Sequence, residues 1–550
     1  MNKLSELHKV RTGYKPKLPS VFNHGPAVRI VKGEKGDSAG DQEKIKALFP
    51  KTYGLPAIGF EASEKQVYQP LNVGVILSGG QAPGGHNVIA GIFDGLKACH
   101  KDSKLFGFLG GPSGLIENSY KELTGEIIEQ YRNTGGFDMI ASGRTKLESV
   151  EQFEAALKNC KTLDIEALVV IGGDDSNTNA AVLGEYFAQK NEDITVIGVP
   201  KTIDGDLKND MVEASFGFDT ATKVYSELIG NIARDANSAQ KYWHVIRLMG
   251  RSASHITLEC AMKTQPNHTI ISEEVAAKEQ TLQEIVDDIV DVVVARSKKG
   301  NNFGVIVIPE GLIEFIPEMG ILIRELNDLM AKYEKELNAI NHVDEKRKYI
   351  ASKLEGHSSE LYLSLPKRIA DQLTMERDPH GNVQVSLIET DKLLVYMVKE
   401  RLAKLKNEGK YEGNFKTHTH FFGYEGRCSF PSNFDADYTY SLGYTAALLA
   451  KNKCTGYMSS VRNLKDDAKN WIPGGVPITR MMNIERRHGK DKPVIKKAMV
   501  ELEGTPFKTF MKYRKKWAAG THYIYPGPIQ YFGPEEVCDA KTITLKLEHE

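Results

Sequence analysis

The sequence predicts an α/β protein built from two doubly wound parallel-sheet domains. Short runs rich in Val and Ile end in Gly-rich turns, ten to twenty residues of helical pattern follow, and the alternation recurs several times from Leu71 onward. Such alternation implies parallel strands with crossover helices covering both faces of a sheet.

Residues 1 to about 70 hold clusters of Gly, Pro and Lys with weak periodicity, and read as an N-terminal extension packed on, or linking to, the main body. LNVGVILSGG then predicts a strand with a helix near Asn87 to His100. ALVVIGGDDS predicts a strand with a helix near Asn179 to Lys190, and ITVIGVPKTIDGD one with a helix near Ala221 to Ala236. WHVIRLMGR and FGVIVIPEG complete the series. ILIRELNDLMAKYEKELNAI and LLVYMVKERLAKLKN are long, charged and helical in period, and predict a helical insertion over about 314–410. The expected organisation is one α/β domain over 71–240, completed by the C-terminal segment 445–550, and a second over 241–444 that contains the insertion.

With 550 residues, 41% hydrophobic and 26% charged, the chain has ample material for a core, and disorder as the main state is excluded. Its 71 basic and 72 acidic side chains leave a net charge of -1, so no global field holds nucleic acid or an anionic membrane. Any anion binding must be local. The six cysteines, at 99, 160, 260, 428, 454 and 538, show no CxxC or zinc-ligand spacing and read as reduced thiols. The first twenty residues lack a signal peptide's apolar stretch, and no apolar run approaches the roughly 18 residues a membrane helix needs. A soluble cytoplasmic protein is expected.

In open parallel sheets, ligands collect at the carboxyl ends of strands, where helix N-termini point their amides outward. Four polar, Gly-rich groups fall there. Ser78-Gly79-Gly80-Gln81-Ala82-Pro83-Gly84-Gly85 permits close backbone approach to a phosphate, though a tight structural turn reads equally well. Gly172-Gly173-Asp174-Asp175-Ser176 sets two carboxylates beside that cradle, which suits an Mg²⁺ bridging carboxylate and phosphate. A helix-capping Asp is the competing account, and Gly-Gly-Asp loops also occur in lipid and NAD kinases. Pro200-Lys201-Thr202-Ile203-Asp204-Gly205-Asp206 offers two acids one residue apart with a Thr and a Lys, fitting a base that accepts an alcohol proton while a cation steadies the phosphoryl group. Taken residue by residue, a solvated turn fits too. Met249-Gly250-Arg251, Pro309-Glu310-Gly311 and Tyr424-Glu425-Gly426-Arg427 supply arginines for phosphate and glutamates for sugar hydroxyls.

In this order, SGGQAPGGHN, GGDDS, KTIDGDL, MGR, PEG and GYEGR resemble the phosphofructokinases from about Leu71 to about Gly443, and most closely the long-form pyrophosphate-dependent members. The resemblance implies phosphoryl transfer between pyrophosphate and the 1-hydroxyl of fructose 6-phosphate, a reversible step of glycolysis. It makes 71–240 the donor-binding domain and 241–444 the sugar-phosphate domain. Gly79 and Gly80 would meet the phosphoryl donor and Asp174 the Mg²⁺. Asp204 would be the general base, with Thr202 and Asp206 beside it and Ile203 within the same substrate loop. Met249, Gly250, Arg251, Glu310, Tyr424, Glu425, Gly426 and Arg427 would hold fructose 6-phosphate, with Arg251 steadying the transfer zone. Arg144 falls where the family places a phosphate-bridging arginine. Lys241 and Tyr242 would reach across the interface of a homodimer.

ATP-dependent relatives usually have Gly where this chain has Asp175 and Lys201. An Asp beside the cradle would crowd and repel a nucleotide's α-phosphate, while an added Lys suits a small, highly charged donor. Pyrophosphate is therefore the expected donor. An ATP-dependent sugar kinase on the same scaffold is the first alternative, and a non-catalytic regulatory subunit binding sugar phosphate the second. Asp174, Thr202, Asp204, Asp206 and Arg251 count against the latter. His418 and His420 read as part of a strand rather than a metal pair, and the basic stretch Lys512 to Lys516 as a solvated face rather than a nucleic-acid contact.

Overall fold

The computed structural model describes residues 5–64, 67–340, 342–375, 383, 387–487, 490–521 and 523. In chain order the strands are β1 (Val28–Lys35), β2 (Pro56–Ala62), β3 (Asn72–Leu77), β4 (Lys104–Phe108), β5 (Tyr120–Glu122), β6 (Ala167–Gly172) and β7 (Thr195–Pro200). They continue as β8 (Trp243–Leu248), β9 (His268–Thr269), β10 (Gly304–Pro309), β11 (Thr417–Phe422), β12 (Tyr457–Arg462), β13 (Ile472–Pro477), β14 (Met482–Arg487) and β15 (Lys490–Ile495). The chain divides into two units. Unit 1 runs to Ala221 and resumes over Tyr424–Ala498; unit 2 takes Thr222–Gly423 and resumes at Met499.

Unit 1 carries a nine-stranded sheet in the order β1-β2-β13-β12-β7-β6-β3-β4-β5. Its centre is parallel, from β12 through β7, β6 and β3 to β4. These strands are apolar at almost every position because helices cover both faces; Leu168, Val196, Phe108 and Met458 lie within one core. The flanks are antiparallel. Between β12 and β13 only a short connection is available, too short for the crossover that a parallel partner demands. The extension before Leu71 supplies β1 and β2, so it extends the sheet rather than merely lying on it. β3 pairs with β4 on one side and β6 on the other, which makes the carboxyl ends of β3 and β6 the topological switch point, where doubly wound sheets bind ligands.

Unit 2 holds a parallel four-stranded sheet, β11-β8-β10-β9. Here β8 lies between β10 and β11, so the switch point falls at its carboxyl end, at Met249. The helices of the insertion, from Pro317 to Asn407, bury apolar faces, and Asp391 on the last of them pairs with the buried Arg247 of β8 at 3.1 Å. Met319, Leu322, Leu326, Leu393 and Val398 share one core with Trp243 and Ile306 of the sheet, so the insertion is part of the unit's body. The expected long helix from Ile321 to Ile340 is broken at Tyr333 into Pro317–Lys332 and Glu334–Ala339.

The unit boundaries differ from the expected 240/241 and 444/445. The backbone amides of Gly217 and Thr220 donate to the buried Asp435 carboxylate at 3.1 and 2.9 Å, which ties the start of the helix Phe218–Ala239 to the helix Asn433–Lys451 within unit 1. Tyr424 to Arg427 accordingly belong to unit 1. Nor does all of 445–550 complete unit 1. The helix Thr505–Ala519 places Phe507, Phe510 and Trp517 on one face, against Leu258, Ala261 and Ile271 of unit 2. Its basic stretch is only partly solvated, since Arg514 pairs with Glu274 at 2.7 Å. Cys99, Cys160, Cys260, Cys428 and Cys454 are free thiols; Cys538 lies outside the described residues.

Candidate active site

In unit 1 the loop after β3 is fixed by its neighbours. The Ser78 amide donates to Ile171 O and the Gly79 amide to Gly143 O, both at 2.9 Å. Ser142 Oγ returns a bond to Gly79 O at 3.0 Å, which brings Ser142-Gly143-Arg144 alongside the loop and leaves Arg144 exposed. Gly79 has φ +83°, a conformation side chains resist. A Cβ at Gly80 would stand 1.9 Å from Arg427 Nη2, so only glycine lets that guanidinium lie across the loop. Arg427 also donates to Gln81 Oε1 at 3.1 Å and Gln81 O at 3.3 Å.

The helix Asp174–Gln189 begins directly after β6, with Gly173 as its N-cap and no side-chain cap bond. Asp174 and Asp175 therefore sit in the first turn, where the helix dipole favours negative charge, and neither is spent on capping. Buried Asn177 donates to Gly172 O at 2.6 Å and Val199 O at 3.3 Å, fastening the ends of β6 and β7 together. Lys146 Nζ meets Asp175 Oδ1 at 3.0 Å. Lys497 Nζ lies 3.6 Å from Asp174 Oδ2 and 3.9 Å from Asp206 Oδ2.

Lys201 follows β7, its amide donating to Gly172 O at 2.9 Å. Its side chain is buried under the first loop, with Nζ 3.5 Å from where a Cβ of residue 79 would be. Burial pushes its amine down to about 8; the positive field of Arg427 adds to the fall, while Asp204 and Asp174 oppose it. Thr202 Oγ1 accepts the Asp204 amide at 3.1 Å, and Ser215 Oγ donates to Thr202 O at 2.9 Å, so the Asp204 turn is braced from two sides. Ile203 and Asp206 are buried, and Asp204 is half-buried. Gly79, Gly80, Asp174, Asp175, Lys201, Thr202, Asp204, Asp206 and Arg427 thus gather at the carboxyl ends of β3, β6 and β7. Tyr424, with Arg427 5.4 Å over its ring, and Glu425 are exposed, whereas Gly426 is buried.

In unit 2, in-register pairing of β8 with β10 sets Leu248 opposite Pro309, which aligns Met249-Gly250-Arg251 with Glu310. The Gly250 amide donates to Glu310 Oε2 at 3.0 Å, and Glu310 is 3% exposed. Arg251 pairs with Glu314 at 3.2 Å on the half-exposed rim. Met249 is held through its amide by Phe422 O at 2.9 Å. Lys241 and Tyr242 lie elsewhere: they precede β8, at the opposite end of a six-residue strand that spans about 20 Å. Tyr242 packs on His418 at 4.5 Å, and His244 Nδ1 meets His420 Nε2 at 2.9 Å.

Among the described residues no group of three or more His, Cys, Asp or Glu side chains is arranged to hold a metal. Mg²⁺ in phosphoryl transfer takes one or two carboxylates and completes its shell with water and substrate phosphate. Asp174 and Asp206, hard oxygen donors sharing a cation, fit that type of site. The sequence points to none of Lys146, Lys497 and Asn177 and shows Gln81 only as part of its loop; the nearness of Lys146 to Arg144 is the one signal it offers.

A phosphofructokinase family model matches residues 72–450. Over 545 residues the chain is 58% identical to a pyrophosphate--fructose 6-phosphate 1-phosphotransferase of Porphyromonas gingivalis, with 99% of each chain covered. It is 55% identical over 557 residues to a protein of the same name from Treponema pallidum, covering 99% of this chain and 97% of that one. Among solved structures, a pyrophosphate-dependent phosphofructokinase from Nitrosospira multiformis aligns with 82% of this chain and 93% of its own, at a TM-score of 0.54 and 16% identity, a likeness of fold. The matched family, the relatives along nearly the whole chain and the loops ranged at the switch points agree: this chain belongs to the phosphofructokinase family.

Proposed function

We propose that this chain transfers a phosphoryl group from pyrophosphate to the 1-hydroxyl of fructose 6-phosphate, reversibly and with Mg²⁺, as a cytoplasmic homodimer serving glycolysis. The observation that carries the donor choice is the Lys201 amine, buried beneath Gly79 and joined at the cradle by the Asp175 carboxylate that Lys146 holds at 3.0 Å. A nucleotide's α-phosphate would meet that carboxylate, whereas two linked phosphates end before it and find cations in Lys201, Arg144 and Arg427.

In the forward direction Asp204 accepts the proton of the sugar 1-hydroxyl. The resulting oxygen attacks the near phosphorus of the donor, the bridging P–O bond breaks, and phosphate leaves with that electron pair. Asp174, with Asp206 near it, would hold Mg²⁺, which would supply charge neutralisation for the donor. Thr202 keeps the Asp204 turn in place, and Ile203 walls it. Arg251 and Glu310 hold the sugar phosphate, with Met249, Gly250 and the segment Tyr424, Glu425, Gly426 and Arg427. Lys241 and Tyr242 stand at the far end of β8 from Arg251, so they can serve the same sugar phosphate only from a second copy; this supports the homodimer. Among the described residues no helix is long and apolar enough to cross a membrane.

The test is a coupled assay of the purified chain with fructose 6-phosphate and Mg²⁺, offered either pyrophosphate or ATP. Turnover with pyrophosphate and little with ATP is expected. Asp175→Gly, alone or with Lys201→Gly, should weaken pyrophosphate use and admit ATP. A wild-type chain that preferred ATP would overturn the donor assignment, and one inactive with both donors would point to a regulatory subunit.

A further inference from the structure

Lys497 belongs to none of the Gly-rich motifs, yet the fold delivers it to Asp174 and Asp206 among the donor loops. It follows β15, whose Val494 and Ile495 are buried, and Ile495 is fastened by its amide to Thr178 Oγ1 at 3.2 Å. The backbone is clamped on both sides: the Lys496 amide donates to Met481 O and the Ala498 amide to Asp206 O, each at 2.8 Å. The second bond attaches the Lys497 segment directly to the catalytic turn.

The amine stands 3.6 Å from Asp174 Oδ2 and 3.9 Å from Asp206 Oδ2, beyond the roughly 3.2 Å limit of a good hydrogen bond to either. It is an electrostatic bridge between these two carboxylates, close enough to offset their repulsion, and Asp204 and Asp175 add to the negative field it meets. Its side chain is 31% exposed, so it has somewhere to go, while the Asp206 side chain is only 9% exposed and does not. A single positive charge facing two negative ones is also less than the pair can hold. A divalent ion at Asp174 would therefore compete with the amine there, and an ammonium turned from Asp174 could meet the anionic donor that arrives with the metal.

We propose that Lys497 is a positioning residue for the donor: its amine offsets part of the repulsion between Asp174 and Asp206 in the empty protein, yields Asp174 to the metal, and then holds a phosphate oxygen of pyrophosphate. The inference rests on the proposed function for the identity of the donor, but its metal step needs no turnover.

Mn²⁺ binding to the full chain without pyrophosphate, followed by electron paramagnetic resonance, tests that step. Lys497→Met should tighten Mn²⁺ by about fivefold, the effect of removing one competing ion pair, and Lys497→Arg should return it to the wild-type value. In steady state Lys497→Met should raise KM for pyrophosphate about tenfold, the loss of one charge-assisted contact, with KM for fructose 6-phosphate unchanged. Unchanged or weaker Mn²⁺ binding in Lys497→Met overturns the inference, as does an equal rise in both KM values. If Lys497→Met does not fold, the pyrophosphate KM of Lys497→Gln decides. Should the wild-type chain not use pyrophosphate at all, the functional reading falls, and the Mn²⁺ comparison still decides whether the amine competes at Asp174.

Discussion

The candidate loops of the two units are built differently. In unit 1 charges are interleaved around the loops: Lys146 with Asp175, Lys497 with Asp174 and Asp206, Lys201 beside Gly79 and Arg427 beside Gly80. In unit 2 the corresponding loops are arranged by strand register and by one buried carboxylate bonded to a backbone amide, with a single rim arginine. A small, highly charged ion with no apolar part is recognised by backbone amides and by charge, and the cations must already be in place. A sugar phosphate offers hydroxyls as well, so neutral geometry can carry part of its recognition. The contrast predicts that variants of unit 1 act on donor binding and turnover, and variants of unit 2 on the sugar.

The largest effect should come from Asp204, the residue asked to move a proton. General-base catalysis contributes about 10²- to 10⁴-fold, so Asp204→Ala or Asp204→Ser should lose kcat by that factor while fructose 6-phosphate still binds, as measured by calorimetry. Wild-type turnover in either variant would remove Asp204 from the role and with it the division of labour between the units.

Lys201 comes next, and it gives the comparison a pH signature. Its amine is held near 8 by burial and by Arg427, below the ordinary 10.5. In the free protein it loses its proton above about pH 8, so kcat/KM for pyrophosphate should fall roughly tenfold per pH unit beyond that point. At saturating pyrophosphate the donor's charge restores the ammonium, and the rate should be flat over the same range. Stability moves the other way. Between about pH 8 and 10.5 the unfolded chain binds the proton that the folded chain has shed, so the contribution of Lys201 to stability increases as pH rises. Lys201→Met should lower kcat/KM for pyrophosphate by about 10- to 100-fold, as expected for the loss of one charge-assisted partner, and remove both pH effects.

The parts of this architecture that were legible share one property: they are local. GGDDS can be read because strand, loop and helix follow one another within a few residues, and the same holds for KTIDGD and MGR. β1, in contrast, is VRIVKGEK, an edge strand with one solvated side, and its polar residues hide it among loops. The helix Thr505–Ala519 was masked in a similar way. Lys508, Lys512, Arg514 and Lys515 dominate its composition, and the stripe of Phe507, Phe510 and Trp517 emerges only when its partner face on unit 2 is known. Lys146 and Lys497 were illegible because no spacing relates them to the acids they meet. Their partners are chosen by tertiary structure, through the placement of β15 beside the helix Asp174–Gln189 and of the 142–146 segment beside the loop after β3.

The smallest expected effect falls in unit 2 and sharpens the comparison most. Glu310 Oε2 accepts the Gly250 amide at 3.0 Å from a buried position, so the carboxylate shapes the Met249-Gly250-Arg251 turn that the proposed function gives to the sugar. Glu310→Gln keeps an acceptor for Gly250 and removes only the charge, converting a charge-assisted bond into a neutral one, a loss of about 1 kcal/mol. KM for fructose 6-phosphate should rise about fivefold, with KM for pyrophosphate and kcat within error of wild type, because a backbone-shaped site survives the loss of one charge. Glu310→Ala would instead leave the Gly250 amide without that acceptor and should cost more, through both sugar binding and the order of the turn. If Glu310→Gln raised KM for pyrophosphate as well, the two recognition systems would be coupled through the turn, and the separation of charge recognition from geometric recognition would fail.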